Sequence, residues 1–239
     1  MTASSDSDAR YFAAWDVAEF AGPVVAIDVL RAFTTSAYAF ASGATAIYLV
    51  ASVAEALAFK ARHPGVLAMG EDRGLRPDGF DSSNSPVAVA EADLRGRTLV
   101  QRTSAGTRGA LAARSASRVW CASLVCASAT ARAVVASQLG APGYVITGRV
   151  EDHPEYGEDD LVVARFIEQA RRHPALEPDR VAREVAASDE ARRTLALGAG
   201  HVHPNDIAYA TRVSVFDFAM ELRRDSDGAR LVAVPLGVI

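Results

Sequence analysis

Val24-Val25-Ala26-Ile27-Asp28-Val29-Leu30-Arg31-Ala32-Phe33-Thr34-Thr35-Ser36 is the stretch on which the fold class turns. Its first half is a short apolar, β-branched run, the pattern of a strand buried on both faces of a parallel sheet. The run stops at Asp28, and Arg31, Thr34 and Thr35 follow before Ala-rich sequence suited to a helix. A carboxylate, a guanidinium and two hydroxyls are thus gathered where a strand gives way to a helix. In open α/β sheets ligands lie outside the carboxyl ends of strands, and helix starts there favour anions. Asp28 alone would serve as a cap, whereas the four together mark a site.

Composition narrows the class. The 239 residues suffice for one large α/β domain or two small ones, and a hydrophobic share of 50% supplies the core. A net charge of −4 gives no global basic field, so a nucleic-acid partner is not expected and an anion site must rest on local arginines. Cys121 and Cys126 lack a companion pair for metal binding, which predicts reduced core thiols in a cytoplasmic protein. Met1 to Arg10 is polar and Ser/Asp-rich, without an apolar signal core or membrane span, and is expected to be a frayed tail. A homo-oligomer is the default expectation for a cytoplasmic protein of this kind.

Outward from the opening stretch, strands and helices alternate. Ala32 to Ser42 reads as helix ended by Gly43, Ala46 to Ala51 as strand, and Ser52 with Glu55 as a capping box opening a helix that closes at His63-Pro64-Gly65. Val66 to Met69, Thr98 to Thr103, Arg118 to Ser123 and Gly143 to Gly148 are further strands. Helices follow them from Ser85-Pro86, from Gly106, from Ala127 and from Glu158 to Arg172. Gly70 to Pro86 is a functional loop or short hairpin by composition. Right-handed crossovers between such units imply a three-layer α/β/α fold with a largely parallel sheet. The expected organisation is a tail and lead-in over 1–20, a main α/β domain over 21–175 and a C-terminal α/β region over 176–239. In that last region Pro178 to Gly198 is charged and helical, His201 to Ala210 is a short helix, and Val213 to Phe216 and Arg230 to Val234 are late strands. Pattern leaves open whether these extend the main sheet or form a smaller subdomain.

Polar residues recur at the strand ends. Asp28, Glu71 and Glu158 or Asp159 offer the oxygen ligands that Mg²⁺ prefers. Arg31, Thr34, Thr35, Arg73, Arg102, Thr103, Ser104, Thr107 and Arg149 suit phosphate or sulfonate oxygens, and Gly106 would let backbone approach such a ligand closely. Each has a plainer role: Glu158 and Asp159 complement a helix dipole, Asn84 and Ser85 make a turn and a cap, and Arg102 forms a surface pair. Neither cysteine precedes a phosphate-cradling loop with a terminal Arg, which argues against a thiolate phosphatase.

These segments resemble the 2-phosphosulfolactate phosphatase family. The likeness runs through Asp28-Val29-Leu30-Arg31-Ala32-Phe33-Thr34-Thr35, Gly70-Glu71 with Arg73-Gly74, and Gly79-Phe80-Asp81 with Asn84-Ser85-Pro86. It continues through Arg102-Thr103-Ser104, Gly106-Thr107-Arg108, Ala122-Ser123-Leu124 with Ala127-Ser128, and Glu158-Asp159, and more faintly through Asn205-Asp206-Ile207 and Asp217. The resemblance implies a Mg²⁺-dependent phosphatase that converts 2-phospho-3-sulfolactate to 3-sulfolactate and phosphate. It assigns Asp28 and Glu71 to Mg²⁺, with Glu158 or Asp159 joining them, and Arg31, Thr34, Thr35 and Arg73 to the phosphoryl group. Thr103, Gly106 and Thr107 would hold another acidic arm, with Asn84, Ser85, Arg102, Ser104 and Arg149 lining the site.

Whether Asp28 attacks phosphorus or only binds metal stays open, although a haloacid-dehalogenase-type enzyme would carry a second Asp where Leu30 stands. The chain departs from the family pattern at Ala105, where the family usually has Asn, at the extra Asp72, and in the loop around Ile146-Thr147-Gly148-Arg149. Those departures bear on substrate identity. They leave a second class of reading, a non-catalytic relative of the same fold that binds an anionic metabolite.

Overall fold

In the computed structural model, residues 9–173 and 177–236 are described. The chain runs β1 (Arg10–Phe12), β2 (Pro23–Ile27), α1 (Ala32–Ala41), β3 (Ala46–Leu49), α2 (Val53–Arg62), β4 (Leu67–Gly70), β5 (Ser82–Ser83) and α3 (Pro86–Glu91). It continues through β6 (Thr98–Arg102), α4 (Gly106–Ala112), β7 (Arg118–Ala122), a 3₁₀ turn at Leu124–Cys126, α5 (Ala127–Ser137), β8 (Gly143–Ile146) and α6 (Glu158–Arg172). The remainder is α7 (Pro178–Ala186), α8 (Asp189–Ala196), α9 (Asp206–Ala210), β9 (Phe218–Asp225) and β10 (Gly228–Pro235). The fold is α/β as expected. Ten strands form one sheet in the order β1-β8-β2-β7-β9-β10-β3-β6-β4-β5.

The sheet is mostly parallel, but it is two parallel halves joined by an antiparallel hairpin. β1, β8, β2 and β7 run together, as do β3, β6, β4 and β5. β9 and β10 stand between them, antiparallel to each other, to β7 and to β3. The late strands therefore lie in the middle of the main sheet. At the other terminus Arg10–Phe12 pairs with Gly143–Val145, and Ala13 and Val17 are buried beneath it. The frayed-tail expectation thus fails at Arg10, while Met1 to Asp8 lie outside the described residues.

Three antiparallel pairings reverse the chain direction, so the two halves run oppositely. Their carboxyl ends nonetheless meet around α1. Nine of the ten α1 residues are buried, the condition of a helix enclosed on all sides. Gln101, at the end of β6 and fully buried, donates its amide to Ala32 O (3.0 Å) and accepts from the Ser36 hydroxyl (2.7 Å). Both polar ends of this core amide are satisfied, which ties β6 to the helix that follows β2.

Local signals behave as anticipated where the causes are local. Ser52 accepts from Glu55 N–H (3.1 Å), and Glu55 reaches back to Ala51 N–H (2.9 Å). Ser85 caps α3 at Ala88 N–H (3.2 Å), with Pro86 in its first turn. Cys121 and Cys126 are free and buried. The expected strand at Val213 to Phe216 is not one. Ser214 and Phe216 give their N–H groups to Leu124 O and Val125 O (2.9 and 3.0 Å), so this run is fastened to the 3₁₀ turn, and the strand starts at Phe218. Gly70 to Pro86 holds an isolated Asp72–Leu75 bridge and the two-residue β5, which is parallel to β4.

Candidate functional site

Asp28 ends β2 and is buried. One carboxylate oxygen accepts from Ala32 N–H (2.7 Å), which turns the chain into α1, and the other lies 3.3 Å from the Thr147 hydroxyl. The start of α4 presses on that second oxygen. A Cβ at Gly106 would stand 2.5 Å from it and 2.6 Å from the Ala32 methyl, so the glycine is required by close approach. Burial pushes the Asp28 carboxyl up to about 7, against the Ala32 hydrogen bond and aided by the negative charges of Glu71 and Glu190.

A second acid group comes from α6. Gly157 adopts φ +78° before the helix, and a Cβ on Gly148 would lie 2.8 Å from the Gly157 Cα, so the loop after β8 touches the helix start backbone to backbone. This contact lets Asp160 accept from Gly148 N–H (2.9 Å) and from Val29 N–H (2.8 Å), clamping the ends of β8 and β2 together. Asp159 is buried beside it. Burial raises both carboxyls, with Glu190 and Asp28 adding repulsion at Asp159, and Asp159 and Asp28 at Asp160. Glu158 turns away, accepting from Glu190 N–H (3.1 Å) at the start of α8.

Glu71 is buried at the end of β4, and both its oxygens are engaged. They accept from Ser104 N–H, from Gly74 N–H (2.6 Å) and from the Ser104 hydroxyl (3.0 Å). Arg102 braces the same turn, donating to Glu71 O (2.7 Å) and Asp72 (2.8 Å). Thr103 and Thr107 cap each other reciprocally, each hydroxyl accepting the other's N–H at 3.0 Å. Thr34 donates to Val29 O (2.7 Å), whereas the buried Thr35 hydroxyl and the Asn84 carbonyl oxygen have no partner among the described residues. Arg73 is exposed, with φ +51°, and among the described residues only its N–H is held, by Ser104 Oγ (2.9 Å). Arg31 is buried against Asp206 (2.8 Å), to which Ser85 also donates (2.6 Å).

The anticipated residues therefore fall into three neighbourhoods: the acids around Asp28, the Glu71–Ser104 turn, and the Arg31–Asp206 pair. Next to the first two opens a cleft of about 620 Å³. Ser104, Ala105 and Thr147 line its inner wall, and Trp15, Leu111 and Ala112 supply an apolar side. Arg108, Arg114 and Arg149 also line it, and none of their guanidinium groups makes an ion pair or hydrogen bond among the described residues. Glu151 is the acid on the same wall.

Sequence reading missed Asp160, Glu190, Thr147 and Asp206. Asp160 stands in the acidic first turn where two other acids were named, and Asp206 lies in a segment of faint family likeness. Thr147 sits in the loop noted for its departures, and nothing local to Glu190 points to the site. No described helix is long and apolar enough to cross a membrane.

The family model described as 2-phosphosulpholactate phosphatase matches residues 14–225. A Bacillus subtilis protein named "Probable 2-phosphosulfolactate phosphatase" is 32% identical over 204 residues, covering 85% of this chain and 88% of its own. Proteins of the same name from Thermus thermophilus and Deinococcus radiodurans are 44% identical over 110 residues (46% of each chain) and 39% identical over 145 residues (59% and 58%). The matched span includes every strand from β2 to β9 and all three neighbourhoods of the site, and on that extent the chain belongs to the 2-phosphosulpholactate phosphatase family.

Proposed function

We propose that this chain is a Mg²⁺-dependent phosphatase that hydrolyses 2-phospho-3-sulfolactate to 3-sulfolactate and phosphate. The observation that carries the reading is the cleft lined by Arg108, Arg114 and Arg149, which have no acidic partner among the described residues, and by Thr147, whose hydroxyl lies 3.3 Å from Asp28 Oδ2. The substrate bears a phosphate, a sulfonate and a carboxylate. A cleft rich in unpaired guanidinium groups matches that charge, and Arg forks suit each of those oxyanions.

The donor chemistry fits a hard dication. Asp28, Asp159 and Asp160 are buried together, and no Lys, Arg or His side chain bonds to any of them among the described residues. No three described His, Cys, Asp or Glu side chains are grouped to hold a metal, but Mg²⁺ needs only one or two carboxylates with retained waters. Asp28 and Asp159 are the ligands in this reading: Asp28 Oδ2 faces the Thr147 hydroxyl and accepts no N–H among the described residues, whereas both oxygens of Glu71 and of Asp160 accept N–H groups. When bound, Mg²⁺ neutralises charge on the phosphoryl group and polarises it. The chain's own residues position the rest. Asp160 locks the β2 and β8 ends, Glu71 shapes the turn that carries Ser104, and the cleft arginines hold the acidic arms. Phosphoryl transfer depends chiefly on such positioning and charge stabilisation.

Phosphate release from phosphosulfolactate and related esters, with Mg²⁺ and after chelation, tests the proposal. Turnover is expected with Mg²⁺ only, is abolished in Asp28→Ala, and needs more substrate in Arg149→Ala. Tight binding of the ester without turnover overturns it and favours a non-catalytic anion binder.

A further inference from the structure

Arg31 is a buried arginine that uses one nitrogen of its fork among the described residues. Its side chain is 2% exposed, yet every side-chain hydrogen bond it makes among the described residues comes from one nitrogen. Nη1 donates to Asp206 (2.8 Å) and to the carbonyl of His201 (2.9 Å), which accounts for both of its protons. Nε and Nη2 carry three more N–H groups, and none has an acceptor among the described residues. A guanidinium always presents five donors in a fixed fork, and neither Nε nor Nη2 is among the fully buried unpaired side-chain atoms, so this edge keeps contact with solvent. A pair built only for stability would spend that free edge on carbonyls.

The other half of the pair is fully engaged. Asp206 is wholly buried and accepts from Arg31, Ser85 Oγ (2.6 Å), His203 N–H (3.0 Å) and Val87 N–H (3.4 Å). These donors come from the loop before α9, from α3 and from the start of α1. Four contacts from three parts of the chain give the carboxylate one orientation, and through Nη1 they fix the plane of the Arg31 fork. Arg31 in turn stands three residues after Asp28.

We propose that Asp206 is a positioning residue, holding Nη1 of Arg31 so that the vacant Nε–Nη2 edge is presented to an oxyanion of the substrate. This rests on the phosphatase reading for the identity of the substrate, but not for the anion itself. The free edge matches two oxygens of a phosphate or sulfonate in a bidentate contact. Lys in place of Arg31 keeps the charge facing Asp206 and loses the fork.

A double-variant cycle on the full chain separates this from a structural tether. Arg31→Lys, Asp206→Asn and the pair are compared by kcat and KM with phosphosulfolactate, by calorimetric binding of inorganic phosphate, and by Tm. Asp206→Asn alone is expected to weaken phosphate binding and raise KM by about 10-fold or more, a coupling of ordinary size for contacting groups. The same substitution on the Arg31→Lys background adds almost nothing, because the fork it oriented is gone. Multiplying losses in the double variant, or a fall in Tm with KM and phosphate affinity unchanged, overturns the proposal. Should Asp206→Asn fail to fold, Ser85→Ala removes one of the four donors and must show the same dependence on Arg31, or the proposal falls. If no ester is turned over but phosphate binding follows the non-multiplying pattern, the phosphatase reading fails and the positioning role stands.

Discussion

Gly106→Ala puts a single methyl group between the start of α4 and the Asp28 carboxylate. The new Cβ would lie 2.5 Å from Asp28 Oδ2 and 2.6 Å from the Ala32 Cβ, where ordinary contacts begin at 3.4 Å. Two opposing effects decide the outcome. Replacing glycine in a helix gains about 0.5–1 kcal/mol at most, and less at the first position, where no intrahelical bond has yet formed. Forcing a methyl into a filled site costs about 1–3 kcal/mol. The overpacking wins, with net destabilisation of about 1–2 kcal/mol and a fall in Tm of about 2–8 °C for a chain of this length. The relief must come from Asp28 or the α4 start moving by roughly 0.9 Å, and displacement of that order costs about 100-fold in rate. Calorimetry and phosphate release on the same preparation measure both. A variant as stable and as active as the parent would refute the claim that α4 is seated against the Asp28 carboxylate.

Other perturbations test separate parts of the molecule. Glu168 is buried on α6, where it accepts from Tyr144 (3.0 Å) and from Arg171 and Arg172. Burial raises its carboxyl, but these donors outweigh burial and hold it below the usual range. A depressed carboxyl contributes stability above its unfolded value near about 4.3 and loses it as pH falls through the folded value. Glu168→Gln is therefore expected to cost about 1–3 kcal/mol at pH 7 and to flatten the loss of stability below about pH 4. An acid limb identical to the parent's would contradict this. Ser52→Ala removes the cap of α2 and should cost about 1 kcal/mol by urea denaturation, with phosphatase activity untouched.

Much of the architecture was legible because its causes lie close in sequence. The apolar run ending at Asp28, the Ser52–Glu55 cap, the Ser85-Pro86 start and the acidic first turn of α6 each depend on residues within one helical turn or one strand. The family likeness added the grouping of Asp28, Arg31, Glu71 and Arg73, but not their employment. Arg31 is paired with Asp206, 175 positions away, and Arg73 is held, among the described residues, only by its backbone. Asp160 escaped notice because its role depends on two backbone N–H groups, one of them 131 positions distant.

The sequence by itself determined that strands and helices alternate, where most of them begin, and that acids and arginines cluster at strand ends. Periodicity and capping are short-range, so they survive without knowledge of the partner. Only the tertiary structure decided that β9 and β10 enter the middle of the sheet and that opposite halves close on a buried α1. It also decided which acids keep free oxygens. Strand neighbours and carboxylate partners are chosen by burial and hydrogen-bond satisfaction across the whole chain, and neither leaves a mark in local spacing.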